Sequence, residues 1–567
     1  MKSVDLKSKP YYLNEKDIAW VENTIAEMTT KEKIGQLFIN LFHDLNPDNG
    51  KKIIEKYHLG GARYISADSD KVYNLLSGLQ KNSKIPLLIA ANCDNGADGA
   101  MKDGTYIATA AQCEASGDEK LAYNAGYVSG REASAIGCNW TFNPIADILY
   151  NWRNTIVNTR AYGTNPENVI KYTSAYIDGL NQSNIAACAK HFPGDGTEER
   201  DQHLVLGVNE SSCEEWDATF GRVYKHLIDE GVPTIMAGHI ALPEYQYKLN
   251  PNLKYEDILP ATLSPELING LLKEKLGFNG LVVTDASHMT GIAAAMRRKD
   301  AVPRTIASGC DMFLFFNDQE EDFTYMLEGY ENGVITEERL QDALRRILGL
   351  KAALKLHEKQ QEGTLIPSKE GLKIVGCEEH LDMAAEAADR GISLVKDTLN
   401  QLPIKPNTHK RIRLHTLYGE IGGLMGATNE SEKIIIEELE KAGFEVTIND
   451  GTTRNKGKVA DLENDFDAVF IFADIVGYAA ENNYRIRWKC AQSTDVPWFV
   501  YEIPTVFVSL NFTTHLTDVP MVKTYINAYK DTREVIRQTI QKIMGEAEFK
   551  GTHFNENVWC EKWETRR

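Results

Sequence analysis

Lys190-His191-Phe192-Pro193-Gly194-Asp195-Gly196 closes an apolar run that begins at position 186, and Thr197-Glu198-Glu199-Arg200-Asp201-Gln202-His203 follows without a break. A buried strand thus ends in a polar loop punctuated by glycine and proline. Gly280-Leu281-Val282-Val283-Thr284-Asp285 repeats the layout, with a β-branched run delivering one carboxylate where it stops. Working outward, short apolar or β-branched runs occupy 36–41, 62–65, 87–91, 140–142, 186–192, 234–237, 281–284 and 312–316. Segments of helical period lie between them, such as 264–275, which opens with Ser264-Pro265-Glu266 as an N-cap with proline at the first helical position. Eight βα units in about 350 residues predict a closed parallel (β/α)8 TIM-like barrel with insertions.

A helix over 338–355 ends that pattern, and the chain then turns charged and glycine-bearing through 356–376. Runs at 411–417, 445–448, 468–475, 505–510 and 522–528 alternate with helices at 431–441 and 532–544, the pattern of a smaller doubly wound sheet. The expected division is a catalytic barrel over 1–355, a linker over 356–380 and a flavodoxin-like α/β sandwich over 381–567. Nothing in 411–567 selects among lending a loop to the barrel's site, closing a homodimer and stabilising the barrel.

The 62 basic and 81 acidic residues leave a net charge of −19, which argues against a nucleic-acid partner or an anionic membrane surface. Nine cysteines are scattered, odd in number and without a Cys-x-x-Cys pair, so they read as reduced thiols. The first ten residues lack the apolar stretch of a signal peptide, and no run of eighteen apolar residues occurs. A soluble, cytoplasmic protein is the expectation.

In a barrel of this kind reactive groups gather where strands end and βα loops begin. Polar residues at such positions are Asn92 and Asp94, Asn143 and Asp147, Lys190 and His191, His239, and Asp285. Asp285 suits a nucleophile pressed into the barrel mouth, or equally a cap for the next helix. Asp201 beside His203 pairs a carboxylate with an imidazole, which orients the ring and suits it to general acid work, although most such triplets are solvated loop residues. The twelve residue steps from His191 to His203 reach up to about 40 Å at roughly 3.3 Å each, so the loop can fold back over the mouth. Lys190 can hold a polyol or form a Schiff base, and His191 beside it favours the first. The chain has neither His-x-His nor His-Glu-x-x-His, so no metal is expected.

At this point the residues resemble glycoside hydrolase family 3, and within it the bacterial β-N-acetylglucosaminidases. The resemblance rests on 190–196 with Asp201 and His203, Pro260-Ala261-Thr262-Leu263-Ser264, and Gly277-Phe278-Asn279 leading into 280–285. Asn143-Pro144-Ile145-Ala146-Asp147, Asn158-Thr159-Arg160-Ala161-Tyr162-Gly163, Met236-Ala237-Gly238-His239 and Ala307-Ser308-Gly309-Cys310-Asp311-Met312 add to it. It covers about 20–355 strongly, while Ile392-Ser393-Leu394-Val395-Lys396 and Phe549-Lys550-Gly551-Thr552 look like the two ends of that family's second domain.

The resemblance implies a retaining mechanism without a cofactor, in which Asp285 forms a glycosyl-enzyme and His203 with Asp201 acts as acid/base. Lys190, His191 and Arg160 would hold the sugar hydroxyls, with Asn92, Asp94, His239 and Met289 completing the contacts. The implied substrate is a carbohydrate carrying terminal β-N-acetylglucosamine, from cell-wall fragments in peptidoglycan recycling or from chitooligosaccharides. Alternatives are a phosphorylase on the same residues, a β-glucosidase or β-xylosidase, and a non-catalytic sugar-binding protein. Three departures bear on specificity. The family's Asp-Gln-Glu-Gly-Gly appears as Asn92-Cys93-Asp94-Asn95-Gly96, its Gly-His-Gly as Gly194-Asp195-Gly196, and a serine of the Asp-x-His loop as Gln202.

Overall fold

The computed structural model describes residues 3–419, 430–449, 459–476, 484–488, 495–552, 554–560 and 563–567. The chain divides into two compact units. In the first, eight parallel strands follow one another around a barrel: β1 (Phe38–Phe42), β2 (Gly61–Tyr64), β3 (Leu88–Ala91), β4 (Trp140–Thr141), β5 (Cys188–Phe192), β6 (Thr234–Ala237), β7 (Leu281–Ala286) and β8 (Met312–Leu314). The hydrogen-bonded order is β4-β3-β2-β1-β8-β7-β6-β5. Bridges pairing Trp140 with Ala186 and Ile145 with Lys190 bring the two ends together, with Cys188 N donating to Asn143 O at 2.7 Å.

Every residue of β3, β5, β6 and β8 is buried, which is why β3, β6 and β8 read as continuous apolar or β-branched runs and not as alternating ones. Lys190 and His191 lie within β5 and Asp285 within β7, not after the strands, and β7 runs two residues past its apolar run at 281–284. The helix expected from Ser264 spans Glu266–Lys275 and is wound wider than an α-helix, with Leu276 N reaching back to Leu271 O at 2.9 Å.

The N-terminal end of the barrel is tied by buried charges. Asp311, directly before β8, accepts from Val282 N at 2.8 Å and faces Arg339, Lys273 at 3.5 Å and Arg346 at 3.9 Å. Asp342 takes a second bond from each arginine, at 2.6 and 2.9 Å. Burial pushes the Lys273 amine down to about 7, with Asp311 opposing. Asp311→Ala would leave three buried cations without their central carboxylate and is expected to lower unfolding free energy by about 3–5 kcal/mol, read from denaturant titration.

The second unit is built on a six-stranded sheet: β9 (Ser393–Asp397), β10 (Arg411–Tyr418), β11 (Glu445–Ile448), β12 (Ala468–Asp474), β13 (Thr505–Ser509) and β14 (Thr524–Asn527), in the order β9-β14-β13-β12-β10-β11. All pairings are parallel except that of β9 with β14. Ile107–Leu121 and Leu149–Thr164, two insertions between barrel strands, belong to this unit. The stretch read as linker starts with a helix, Leu356–Glu362, whose Leu356 and His357 are buried, and as far as His380 it belongs with the barrel. None of the eight described cysteines is in a disulfide, and Cys490 lies outside the described residues. Among the described residues no helix is long and apolar enough to cross a membrane.

Candidate active site

Asp285 is the last polar residue of β7, 9 % exposed, and its carboxylate accepts from Ala286 N at 2.7 Å. Burial alone would raise its pKa, yet His191 and His203, with the Ala286 amide, hold it below the ordinary aspartate value. An ionised carboxylate among imidazoles is the state a nucleophile requires.

Each imidazole has its own anchor. His191, on β5, sets Nδ1 2.7 Å from Asp147 Oδ2, while Asp147 Oδ1 accepts the backbone amides of His191 at 3.1 Å and Asp195 at 2.9 Å. His239 follows β6 with Nε2 2.9 Å from the Ala286 carbonyl and Nδ1 3.0 Å from Thr262 Oγ1. A carbonyl only accepts, so Nε2 carries the proton and Nδ1 accepts the threonine hydroxyl. Burial lowers the His239 pKa, consistent with a neutral ring that braces the end of β7.

His203 belongs to the loop after β5. Its Nδ1 lies 2.6 Å and its backbone amide 2.8 Å from Oδ1 of the fully buried Asp201, so the ring is oriented by a fixed carboxylate. The loop is sewn to the barrel mouth. Thr290 N donates to His203 O at 2.9 Å and Gly291 N to Gln202 O at 3.1 Å, both from the segment after β7. The Gln202 side chain accepts from His239 N at 2.7 Å. Two short strands, Gly207–Val208 and Ile240–Ala241, pair in parallel and fasten the loop's return.

Two glycines permit this packing. Gly194 has φ +120°, and a Cβ there would meet the Phe220 ring at 2.2 Å. A Cβ on Gly291 would meet Gln202 O at 2.7 Å and His239 Cβ at 2.8 Å. Gly291→Ala is therefore expected to push the His203 loop outward and lower kcat/KM by roughly 10–100-fold on substrates whose leaving group must be protonated, with the barrel still folded. Comparing kinetics with circular dichroism checks both halves of that expectation.

The remaining strand-end residues of the barrel fall on the same mouth. Asp94, beyond β3, accepts from Asn143 Nδ2 at 2.6 Å and lies 3.8 Å from the buried Lys190 ammonium. Asn92 is half-buried at the end of β3, and Met289 is buried after β7. Arg160 lies in the second unit, on the turn Asn158–Arg160, where its guanidinium donates to Ile156 O at 3.2 Å.

Sequence reasoning gave no role to Arg298, Asp322 or Asp147. Arg298 makes a bidentate pair with buried Asp322 at 2.8 and 2.6 Å and donates to Ser287 O at 2.8 Å and Ser287 Oγ at 2.9 Å, bracing the backbone two residues beyond Asp285. Nothing in the charged run 297–300 marks this arginine, whereas Asp147 was already a strand-end carboxylate lacking only a partner.

A family model described as the glycosyl hydrolase family 3 N terminal domain matches residues 29–350. A protein from Cellulomonas fimi named beta-N-acetylglucosaminidase/beta-glucosidase is 38% identical over 568 residues, covering 99% of this chain and 100% of the relative. Among solved structures, "Beta-glucoside phosphorylase BglX bound to 2FGlc" is 38% identical with a TM-score of 0.92, covering 97% of this chain and 98% of the other. A family 3 beta-N-acetylglucosaminidase from Paenibacillus sp. str. FPU-7, 24% identical with a TM-score of 0.77, covers 93% of this chain and 99% of its own and shares the fold.

Proposed function

The chain belongs to glycosyl hydrolase family 3, and from that premise we propose that it is a retaining exo-β-N-acetylglucosaminidase acting on cell-wall or chitin-derived oligosaccharides. The observation that carries this reading is the pairing of His203 with buried Asp201 on a loop fastened beside Asp285. Asp285 attacks the anomeric carbon while the His203 imidazolium gives its Nε2 proton to the departing glycosidic oxygen, and Asp201 holds the ring through Nδ1 before and after that transfer. The bond to the aglycone breaks and a bond to the Asp285 carboxylate forms. In the second step neutral His203 takes a proton from water, whose oxygen displaces Asp285 and returns the starting configuration. Lys190, His191, Asp94 and Asn92 hold the sugar hydroxyls, and His239 and Met289 shape the floor.

The Cellulomonas fimi relative's name joins two activities, so aryl β-N-acetylglucosaminide and aryl β-glucoside are to be compared directly. Faster turnover of the N-acetyl substrate is expected. Equal or faster turnover of the glucoside would move the assignment to β-glucosidase. A second reading, with phosphate in place of water, is supported by the imidazole acid/base, which does not repel an incoming anion as a carboxylate would, and by the likeness to a phosphorylase structure. Sugar-1-phosphate appearing when phosphate is added, with less free sugar, would establish that reading, and its absence would remove it.

A further inference from the structure

Where the first unit ends, Cys377, Glu379 and His380 bring one ligand atom each within 4.8 Å of one another. We propose that these three side chains form a structural site for a divalent cation of zinc's kind.

The imidazole is arranged as a ligand. His380 is fully buried, its Nδ1 lies 2.6 Å from Glu132 Oε1, and its Nε2 is buried with no hydrogen-bond partner. Glu132, also fully buried, accepts Thr105 N at 2.8 Å, Thr105 Oγ1 at 2.6 Å and Gly376 N at 3.1 Å. A carboxylate only accepts, so Nδ1 keeps its proton and donates it to Glu132, which leaves the lone pair on Nε2. Carboxylate, imidazole and metal in that order is the usual support of a histidine ligand. An orphaned buried ring nitrogen, by contrast, costs free energy for no return.

The backbone gathers the other two ligands. Gly376 turns the chain with φ +66°, His380 N donates to Cys377 O at 3.0 Å, and the helix Glu378–Gly391 starts there. Cys377 is the partly exposed thiol among the described cysteines, the others being buried, which leaves a route for an ion. Ligand atoms around a tetrahedral zinc stand roughly 3.3–3.6 Å apart for bonds of about 2.0–2.3 Å, so small side-chain rotations close the site. Charge points the same way. A Cys377 thiolate with the Glu379 and Glu132 carboxylates, set against Arg131 at 2.6 Å from Glu379, leaves two negative charges for a divalent ion to balance. Three protein ligands leave a fourth position for water. The comparable cluster of Asp17, His357 and Glu358 is less suited, because both ring nitrogens of His357 lack a hydrogen-bond partner and no carboxylate fixes its tautomer as Glu132 does for His380.

The test uses the full chain stripped by a chelator. One equivalent of Co2+ is expected to give thiolate-to-cobalt charge-transfer absorption, and Zn2+ to abolish that absorption and raise the unfolding temperature. Cys377→Ser should remove the absorption, and Glu132→Gln should weaken affinity by about 10–100-fold through its effect on His380. Glycoside turnover by the stripped variants serves as the control for folding and should match the stripped parent. No charge-transfer absorption in the parent, or the same absorption in Cys377→Ser, would overturn the proposal. So would unchanged affinity in His380→Gln.

Discussion

Asp285→Asn is expected to abolish turnover of every β-glycoside substrate, by about four orders of magnitude or more, because the covalent step loses its nucleophile. The loss should be the same with and without phosphate, since both acceptors need the glycosyl-enzyme to form first. The amide is nearly isosteric and should keep the Ala286 hydrogen bond, so stability should change little. The smaller Asp285→Gly opens space for a substitute: azide should then restore turnover and yield the glycosyl azide of opposite anomeric configuration. Restoration giving the same anomer as the substrate would mean that another group had acted as nucleophile. The carboxyl's pKa is held below the ordinary aspartate value. It therefore stays ionised as pH falls through the ordinary carboxylate range, and the acidic limb of kcat/KM should be set by another group until that lower value is passed.

His203→Ala should produce a loss that depends on the leaving group. With alkyl or sugar leaving groups, which need a proton as the bond breaks, the first step is expected to slow by about 10²–10⁴-fold. With a dinitrophenyl leaving group the first step should be nearly spared, and a burst of phenol should precede slow release of the sugar. Asp201→Asn should follow the same pattern more mildly, because it leaves the ring in place but removes the charge that stabilises the imidazolium. Equal losses on all leaving groups would remove His203 from the acid role and leave it as a packing residue of the loop.

The barrel was legible because strands buried on both faces leave continuous apolar runs. Thr234-Ile235-Met236-Ala237 is a case where run and strand coincide at both ends. The sequence was less clear where a strand continues through its functional residues: polarity at Lys190, His191 and Asp285 marks chemistry and not the end of pairing. The insertions 107–121 and 149–164 carried no sign of belonging to the second unit, since that membership rests on partners far along the chain. Tyr529 packs on Ala111 and Ala115, and Asn557 Nδ2 donates to Leu149 O. β9 escaped period reading because it is short and carries buried Lys396. Within the site, the carboxylates and imidazoles were visible as strand-end residues, but their pairing was not. His191 with Asp147 and Arg298 with Asp322 are 44 and 24 positions apart, and only the closed barrel brings them together. Gln202, seen in the sequence as a departure from serine, has a physical role as the side chain that ties the His203 loop to His239.

The central claim is a covalent bond between the sugar and Asp285, and the most direct measurement is to trap it. Incubating the protein with a 2-deoxy-2-fluoro β-glycoside bearing a good leaving group, then mapping peptides by mass, should find one glycosyl group, attached to the peptide spanning 281–286 at Asp285. A glycosyl group carried on a different carboxylate would contradict the account, as would product sugar released with inverted anomeric configuration while Asp285 stays unmodified.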